Sequence, residues 1–419
     1  MSFESSGLSP ALVRAIRERG YLEPTAIQAE AIPPVLEGRD VLGSAQTGSG
    51  KTAAFALPIL QRLMGGARDR PRKVQALVLV PTRELAAQVG DTFRHFAQHL
   101  PEPLKIAVLF GGVSINPQMM GLRGGADIVV ATPGRLLDLI HHNALSLRDV
   151  ATLVLDEADR LLDLGFAEEL AQVLGELPLR RQSLLFSATF PPAVQGLAEQ
   201  LLRDPVRIEV AVEPETQPDI LQRAIEVDTA KRTPLLRHLI QQEGWPRVLV
   251  FVATKYATEL VSHKLGLAGI HAQAFHGELS QGARTQVLSD FKASRLQVVV
   301  ATDVAARGID VARLPAVVNY DLPRSPVDHV HRIGRTGRAG QRGVAISFIT
   351  AEAEAHFRLI EKRQGLRVPR EQLPGFERVE VAAPVADVNG GIKGKRPSKK
   401  DKLRAAAAAL ARQGGSSTS

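Results

Sequence analysis

The sequence predicts an α/β protein in which two parallel sheets, each with helices on both faces, follow one another and lead into a basic tail. Three observations support this fold class. Apolar runs of strand length alternate with segments of helix length, as in parallel sheets buried on both faces. A stretch rich in proline and carboxylates at 209–219 interrupts the alternation, which then resumes. From about Leu373 onward, proline, glycine and lysine dominate.

The apolar runs give the positions of the predicted strands. In the first half they cover residues 76–80, 106–110, 127–130, 153–155 and 183–186, and a short strand ends at 40–43. In the second half they cover 248–252, 298–300, 316–318 and 344–348. We therefore expect a first domain at 1–208, a hinge linker at 209–219, a second domain at 220–370 and a basic, largely disordered tail at 371–419.

The composition excludes several classes of function. A chain of 419 residues is long enough for two domains with separate cores. The absence of cysteine excludes disulfides, thiolate metal sites and cysteine nucleophiles. No apolar run reaches membrane-spanning length, and the first residues lack the basic and apolar segments of a secretory signal. We therefore expect a cytoplasmic enzyme without a membrane partner.

The positive charge is concentrated near the end of the chain. Residues 393–404 contain seven Lys or Arg and one acidic residue, a net +6 of the total +8. The rest of the chain therefore carries only +2. A solvated cationic tail of this kind often binds nucleic acid without sequence preference, and a tail that only promotes solubility is the alternative.

A Gly-rich loop with the sequence AQTGSGKT predicts a nucleotide triphosphate site. A short strand precedes it and a helical segment follows it, which is the arrangement of a phosphate-binding loop. Lys51 is suited to the terminal phosphates, and the Thr52 hydroxyl is suited to Mg²⁺. The predicted nucleotide-binding residues of the loop are Ala45, Gln46, Thr47, Gly48, Ser49, Gly50, Lys51 and Thr52.

Acidic residues follow the predicted strand at 153–155. Carboxylates at the carboxyl end of a buried strand lie where open α/β sheets bind ligands. Asp156 is suited to hold Mg²⁺ through its water shell, and Glu157 is suited to orient an attacking water. An acidic helix cap is the alternative interpretation, and the presence of the phosphate loop favours the metal and water roles.

An arginine-rich stretch, HRIGRTGR at 331–338, lies far away in the second half. Guanidinium groups match the geometry of phosphate oxygens. If the second domain closes on the first, Arg335 and Arg338 become arginine fingers on the γ-phosphate. A basic loop that binds only nucleic acid is the alternative.

Several further stretches offer hydroxyls, backbone N–H groups beside glycines, and arginines. Such groups suit the phosphates and sugars of a nucleic acid rather than its base edges, so we expect little sequence specificity. Ordinary turn chemistry is the alternative for each stretch taken alone. The candidate nucleic-acid-binding residues are Pro81, Thr82, Arg83, Gly111, Gly112, Thr132, Pro133, Gly134 and Arg135, with Gln281, Arg284, Thr302, Arg307 and Gly308 in the second half.

Together these stretches resemble the DEAD-box RNA helicases of helicase superfamily two. In order they read GYLEPTAIQ, AQTGSGKT, PTRELAAQ, GG, ATPGR, DEAD, SAT, QGAR, ATDVAARGID and HRIGRTGR, and the likeness extends from Phe3 to about residue 350. The resemblance implies two RecA-like domains, ATP with Mg²⁺, and RNA as the activating partner. By its length and simple tail the chain looks most like the short bacterial RhlE-type members.

The resemblance also implies roles for individual residues. Gln28 would read the adenine edge, and the Asp310 carboxylate would bind the ribose hydroxyls. Tyr21, Pro24 and Thr25 would shape the adenine pocket, with Phe3 packing from upstream. Residues that would link the nucleotide state to the RNA state are Ser187, Ala188, Thr189, Asp159 and Asp303, together with His331.

These roles lead us to expect an RNA-dependent ATPase that closes two domains on a single strand and locally unwinds short duplexes or remodels RNA–protein complexes. An RNA clamp, for which unwinding is incidental, shares all of these motifs, and a DNA helicase of the same superfamily is a further alternative. Ribosome assembly, RNA decay and cold adaptation are all compatible pathways. A monomer is the default expectation.

Overall fold

The computed structural model describes residues 2–45, 48–65, 70–210, 219–306, 314–337 and 342–381 of the chain. Most of the expected hinge linker and most of the expected tail lie outside these ranges. None of the helices in the described part of the chain is long and apolar enough to cross a bilayer.

The first half of the chain, residues 2–210, forms one parallel sheet. Its strands are β1 (Val41–Ser44), β2 (Ala76–Leu79), β3 (Ile106–Leu109), β4 (Ile128–Ala131), β5 (Thr152–Asp156), β6 (Gln182–Ser187) and β7 (Val206–Glu209). Among the described residues their order across the sheet is β3-β4-β2-β5-β6-β1-β7, and every neighbouring pair is parallel. The carboxyl ends of these strands therefore share one edge.

Helices cover both faces of this sheet. They are α1 (Pro10–Glu18), α2 (Ala26–Leu36), α3 (Lys51–Leu63), α4 (Arg83–Ala97), α5 (Asn116–Gly121), α6 (Pro133–His141), α7 (Ala158–Asp163), α8 (Ala167–Gly175) and α9 (Pro192–Leu201). Successive strand residues point to opposite faces. Ala76 and Val78 accordingly join a core beneath α1 to α4, whereas Leu77 and Leu79 join a core beneath α6 to α9.

The second half, residues 219–378, repeats this architecture. Its strands are β8 (Ile220–Glu226), β9 (Val248–Val252), β10 (Ala272–Phe275), β11 (Val298–Thr302), β12 (Ala316–Asn319), β13 (Gly343–Ile349) and β14 (Arg370–Glu371). Among the described residues their order is β10-β11-β9-β12-β13-β8-β14, again with parallel pairs. Its helices are α10 (Arg232–Glu243), α11 (Lys255–Leu267), α12 (Gln281–Lys292), α13 (Asp303–Ala306), α14 (Pro326–Ile333) and α15 (Glu354–Gln364).

These two sheets confirm the predicted fold class, and every strand predicted from an apolar run is present. The structure adds β7, β8, β10 and β14, which the sequence analysis did not predict. The two sheets contain the same number of strands in equivalent positions, as expected for tandem RecA-like domains.

Residues 371–378, which the sequence analysis assigned to the tail, pack on the second sheet. Strand β14 pairs with β8 at the edge of the sheet. Phe376 packs on the core of the second half, with its ring centroid 5.2 Å from that of His238. Arg378 and Gln372 both bind the Glu226 carboxylate, each at 2.7 Å. This segment therefore belongs to the second half.

We predict that the segment stabilises the second half measurably. A chain ending at Arg378 should unfold at the same temperature as the full chain, whereas a chain ending at Arg370 loses the apolar contacts of Phe376 and the Glu226 pairs. A loss of about 2 kcal/mol would lower the unfolding midpoint by roughly 4–8 °C. Calorimetry of the two truncated chains measures this difference, and equal midpoints would contradict the prediction.

Candidate nucleotide and nucleic-acid sites

The phosphate loop joins β1 to α3. Lys51 is the first residue of α3, is buried, and its ammonium donates a hydrogen bond to the Ala45 carbonyl oxygen at 2.8 Å. Gly50 caps the helix with a φ of 96°, a conformation that residues with a Cβ rarely adopt. A Cβ at this position would also lie 2.4 Å from the Gln28 amide nitrogen. The loop therefore presents the amino end of α3, where anions bind favourably.

The predicted adenine-reading residues pack against this loop. Gln28 is buried, its amide nitrogen donates to the Gly50 carbonyl oxygen at 3.1 Å, and its amide oxygen accepts from the Thr25 N–H at 3.1 Å. The Thr25 hydroxyl donates to the Ser49 carbonyl oxygen at 2.8 Å. A side-chain amide has two N–H groups and two acceptor lone pairs, so one of each remains for a ligand.

The two aromatic residues predicted for the adenine pocket differ in exposure. The Tyr21 side chain is exposed and makes an edge-to-face contact with Phe96, with centroids 6.4 Å apart. Phe3 is buried in the core of the first half. Tyr21 therefore has a ring surface available to a ligand, whereas Phe3 contributes packing behind the pocket. Pro24 is partly exposed between Tyr21 and Thr25.

The acidic loop begins at the last residue of β5. Asp156 is buried, and one of its carboxylate oxygens accepts from the Glu157 N–H at 3.0 Å. Burial raises the pKa of Asp156 to about 6, and the nearby Lys51 ammonium opposes this rise. Glu157 has a φ of 53° at the cap of α7, and such strain in a residue with a Cβ is typical of functional sites.

The chemistry of this loop fits a divalent cation bound together with a nucleotide. A buried carboxylate with a raised pKa gains stability from a nearby cation, and Thr52, the second residue of α3, supplies a hydroxyl. No group of three or more His, Asp or Glu side chains suited to a metal occurs among the described residues. Mg²⁺ at this site would therefore take its remaining ligands from water and from the nucleotide phosphates.

The predicted coupling residues bind the acidic loop. Asp159 accepts from both the backbone N–H and the hydroxyl of Thr189, at 3.0 and 2.8 Å. Its own N–H donates to the Ser187 hydroxyl oxygen at 3.2 Å, and that hydroxyl donates to the Thr189 carbonyl oxygen at 2.7 Å. Ala188 lies between these two residues. The end of β6 and the start of α7 are thus fixed to each other.

A hydrogen bond crosses from this loop to the second half. The Arg160 guanidinium donates to His331 Nδ1 at 3.2 Å. Burial and the positive charges of Arg160 and Arg335 lower the pKa of His331 to about 4, so the imidazole is neutral and can accept. Arg335 thus lies close enough to His331 for its charge to act on the imidazole.

Arg332, next to His331, fixes α14 within the second half. It forms a two-pronged ion pair with Asp303, with distances of 2.6 and 2.7 Å, and donates to Asn319 at 3.0 Å. Its guanidinium also lies 4.8 Å from the centre of the Phe251 ring. Asp303 therefore acts within the second half, where it sets the position of the helix that carries His331.

The candidate nucleic-acid residues of the first half gather at the carboxyl edge of the first sheet. Gly112 has a φ of 74°, and a Cβ there would lie 1.9 Å from an Arg83 guanidinium nitrogen. The Arg83 guanidinium therefore packs on the Gly112 backbone, in the space that a side chain at that position would occupy. Arg135 donates to the Val113 carbonyl oxygen at 2.7 Å. The remaining members lie beside these at strand ends and helix starts, and they are Pro81, Thr82, Gly111, Thr132, Pro133 and Gly134.

The corresponding residues of the second half meet this edge. Arg284 is buried and donates to Glu84 of the first half at 2.6 Å and to the His276 carbonyl oxygen at 2.9 Å. Burial and the positive charges of Arg284 and Arg135 lower the pKa of Arg83. Converging guanidiniums of this kind favour a polyanion. Gln281 begins α12, and Thr302 ends β11.

The structure also shows two site residues that the sequence analysis did not select, Arg160 and Glu84. Arg160 lies three residues after Glu157 on a predicted helix start, and that spacing is a sequence signal for a contact. Glu84 lies inside PTRELAAQ, but nothing local indicated its partner. Six predicted residues lie outside the described part of the chain, namely Gln46, Thr47, Arg307, Gly308, Asp310 and Arg338.

A phosphate loop, an acidic loop and facing arginines at the edges of two parallel sheets define a two-domain, nucleic-acid-dependent nucleotide triphosphatase. Comparison with known families agrees. Residues 25–197 match the DEAD/DEAH box helicase model, and residues 230–340 match the Helicase conserved C-terminal domain. The DEAD-box ATP-dependent RNA helicase CshA of Bacillus cereus is 40% identical over 376 residues, which cover 90% of this chain and 70% of that protein. The chain belongs to the DEAD-box ATP-dependent RNA helicases.

Solved structures show the same relationship. Saccharomyces cerevisiae Dbp5 bound to RNA and ADP BeF3 is 32% identical, with a TM-score of 0.78 and coverage of 88% of this chain and 95% of that chain. A Dbp5 variant bound to Nup159, a Gle1 variant, IP6 and ADP is 30% identical, with a TM-score of 0.59 and coverage of 88% and 96%. The predicted family and ATP-dependent RNA helicase activity are thus confirmed, whereas the RhlE-type assignment stays a prediction.

We predict that acid weakens the fold through His331. Below pH 6.5 the unfolded chain gains a proton on this residue that the folded chain excludes until about pH 4, so stability falls with falling pH in this window. The loss at about pH 5 should be roughly 1–2 kcal/mol. His331→Gln keeps an acceptor for Arg160 without titrating, and it should lose less stability between about pH 7.5 and about pH 5 than the wild type.

Thermal unfolding of both proteins at the two pH values measures this effect. His263→Gln, the same substitution at an exposed histidine, serves as the matched control. An identical pH dependence in the wild type and His331→Gln would contradict the prediction.

Proposed function

We propose that this helicase uses ATP to close its two halves on a single RNA strand, and that this closure opens short duplexes or remodels RNA–protein complexes. The observation that carries the proposal is a pair of contacts between the halves. One, from Arg160 to His331, lies at the nucleotide site, and the other, from Arg284 to Glu84, lies at the RNA site. The proposed nucleotide and RNA sites therefore each lie beside a contact between the two halves.

The comparison with Dbp5 supports this mechanism. The chain resembles Dbp5 bound to RNA and ADP BeF3, with a TM-score of 0.78, more closely than the Dbp5 variant bound to Nup159, a Gle1 variant, IP6 and ADP, with 0.59. Sequence identity is similar in the two cases, so a different arrangement of the two halves would account for the difference in TM-score. This supports the proposal that the halves of this chain close on RNA.

At the nucleotide site, the loop at 45–52 and Lys51 would hold the phosphates, and Gln28 would read the adenine. Thr52 and Asp156 would hold Mg²⁺, which supplies charge neutralisation at the phosphates. Glu157 would orient the attacking water and accept its proton. Arg335, and Arg338 outside the described residues, would stabilise the charge that develops on the γ-phosphate.

At the RNA site, guanidiniums and backbone N–H groups would bind phosphates and sugars. This type of contact carries little base preference, and contacts to 2′-hydroxyls would favour RNA over DNA. A strand bent across the junction between the halves cannot stay in an A-form duplex, so a few base pairs open locally. Unwinding would therefore be confined to short duplexes. The cationic residues at 393–404 would add affinity without sequence preference.

ATP and RNA would then bind cooperatively. Both ligands would contact the two halves, so each would favour the closed arrangement. Binding of one would reduce the free energy of closure that binding of the other has to provide. Hydrolysis would remove the γ-phosphate contacts of the second half and release the RNA. Asp159, Ser187 and Thr189 connect the acidic loop to the end of β6 and would carry this change within the first half.

ATP hydrolysis by the Glu157→Gln variant tests the proposed function. The wild type should hydrolyse ATP faster when single-stranded RNA is added, whereas Glu157→Gln should bind ATP and RNA but lose roughly a thousandfold in kcat, since the base is removed. Displacement of a short RNA duplex, measured in parallel, separates unwinding from simple clamping. RNA-independent hydrolysis, equal stimulation by DNA, or full activity of Glu157→Gln would each refute the proposal.

Weakened RNA binding by Arg83→Gln tests the RNA site. The substitution should raise the RNA concentration needed for half-maximal ATPase stimulation about tenfold and leave the ATP affinity unchanged. It should also reduce the slope of the logarithm of RNA affinity against the logarithm of salt concentration by about one, because one cation that contacts a phosphate is lost. Arg207→Gln, at an exposed arginine of β7, is the matched control. An unchanged RNA requirement in Arg83→Gln would place the RNA elsewhere.

A further inference from the structure

Arg160 is a buried cation that the proposed roles of the acidic loop do not use. The residue is 4% exposed, and its backbone N–H donates to Asp159 at 3.0 Å in the first turn of α7. Burying a guanidinium sacrifices its hydration, so such a residue needs partners that compensate for the loss. The identity of these partners therefore indicates what the residue does.

The two terminal nitrogens of Arg160 face two different parts of the protein. Nη1 lies 3.3 Å from the Glu157 Oε2 atom, and Nη2 donates to His331 Nδ1 at 3.2 Å. Because the guanidinium is planar and rigid, the orientation of one nitrogen fixes that of the other. Arg160 thus links the proposed water-orienting carboxylate to the second half.

The contact with Glu157 is an ion pair without a hydrogen bond. Among the described residues, neither Glu157 Oε2 nor Arg160 Nη1 has a hydrogen-bond partner. The positive charge therefore holds the carboxylate in place while the lone pairs of Oε2 stay available. A general base needs such a lone pair to accept a proton from water.

The other partner, His331, moves with the second half. The neighbouring Arg332 is fixed by its two-pronged pair with Asp303 and its hydrogen bond to Asn319. His331 therefore has a defined place on the second half, in the last turn of α14. When the halves separate, Arg160 loses the acceptor that fixes its orientation.

We propose that Arg160 is a positioning residue that orients the Glu157 carboxylate for hydrolysis when His331 accepts its hydrogen bond. Closure of the halves would then complete the site in two ways, by bringing the arginines of the second half to the phosphates and by fixing the base of the first half. The inference rests on the proposed function, because it takes Glu157 as the residue that orients the attacking water.

The first test removes the guanidinium. Arg160→Met keeps an unbranched side chain but makes neither contact, and the RNA-stimulated kcat should fall roughly ten- to hundredfold. The affinity for a fluorescent ATP analogue should change less than about twofold, because the interaction acts on the reacting state rather than on binding. Arg148→Met, at an exposed arginine of the first half, is the matched control and should keep the wild-type kcat. Equal losses of ATP affinity and kcat in Arg160→Met would indicate a merely structural role.

The second test asks whether Arg160 acts through His331. His331→Ala should lower kcat by a similar factor, and the double variant should be no slower than the slower single variant, because both substitutions break one connection. Arg160→Lys keeps the charge but lacks the fork that reaches both partners, and it should lose most of kcat. Additive losses in the double variant, or a raised RNA-free rate in Arg160→Met, would overturn the proposal.

The results separate this inference from the proposed function. If the wild type shows no RNA stimulation, or Glu157→Gln stays active, the proposed function fails. If those two results are as expected and Arg160→Met keeps full kcat, only the positioning role fails. Should Arg160→Met not fold, full kcat in both Arg160→Lys and His331→Ala would overturn the role, and a selective loss in both would support it.

Discussion

The carboxyl edges of the two sheets face each other, and two buried polar contacts, Arg284 to Glu84 and Arg160 to His331, connect them. Burying charged groups removes their hydration, and much of the attraction between them only offsets that loss. Such contacts fix the relative orientation of the halves while adding little net stability. About 5.5 kcal/mol of differential ligand binding moves a two-state equilibrium from 1:99 to 99:1. In the proposed closure, ATP and RNA together would have to supply a difference of this size.

Polar groups within each half form networks of several hydrogen bonds. In the second half, Arg332 binds Asp303 through two nitrogens and also binds Asn319. In the first half, Asp159 is bound by the backbone and the hydroxyl of Thr189. Breaking such networks leaves buried groups unpaired, which costs more than separating the halves. In the proposed closure, each half would therefore move as a unit, and changes at the nucleotide would reach the RNA through the contacts between the halves.

The sequence was sufficient to predict the strands that read as apolar runs, including β3 at an edge, but not the strands that mix polar with apolar residues. Central strands such as β4 and β5 are buried on both faces and appear as continuous apolar runs. The edge strand β7, which reads VRIE, is partly exposed and mixes polar with apolar residues. In the second half β8, between β13 and β14, also mixes polar with apolar residues, and the edge strand β14 is only two residues long. The contacts of residues 372–378 with the second half depend on side chains that meet only in the folded chain, so composition alone assigned this segment to the tail.

The same physical limit applies to the site. The phosphate loop, the acidic loop and the coupling stretch could be predicted because each is a local arrangement of backbone and side chains. Arg160 and Glu84 could not, since their partners lie 171 and 200 residues away in the chain. Arg160 and Glu84 each contact a residue of the other half, and a sequence motif describes only the residues within it. Residues that make contacts between the two halves are therefore those that local sequence patterns describe least well, and the contacts of the folded chain are needed to identify them.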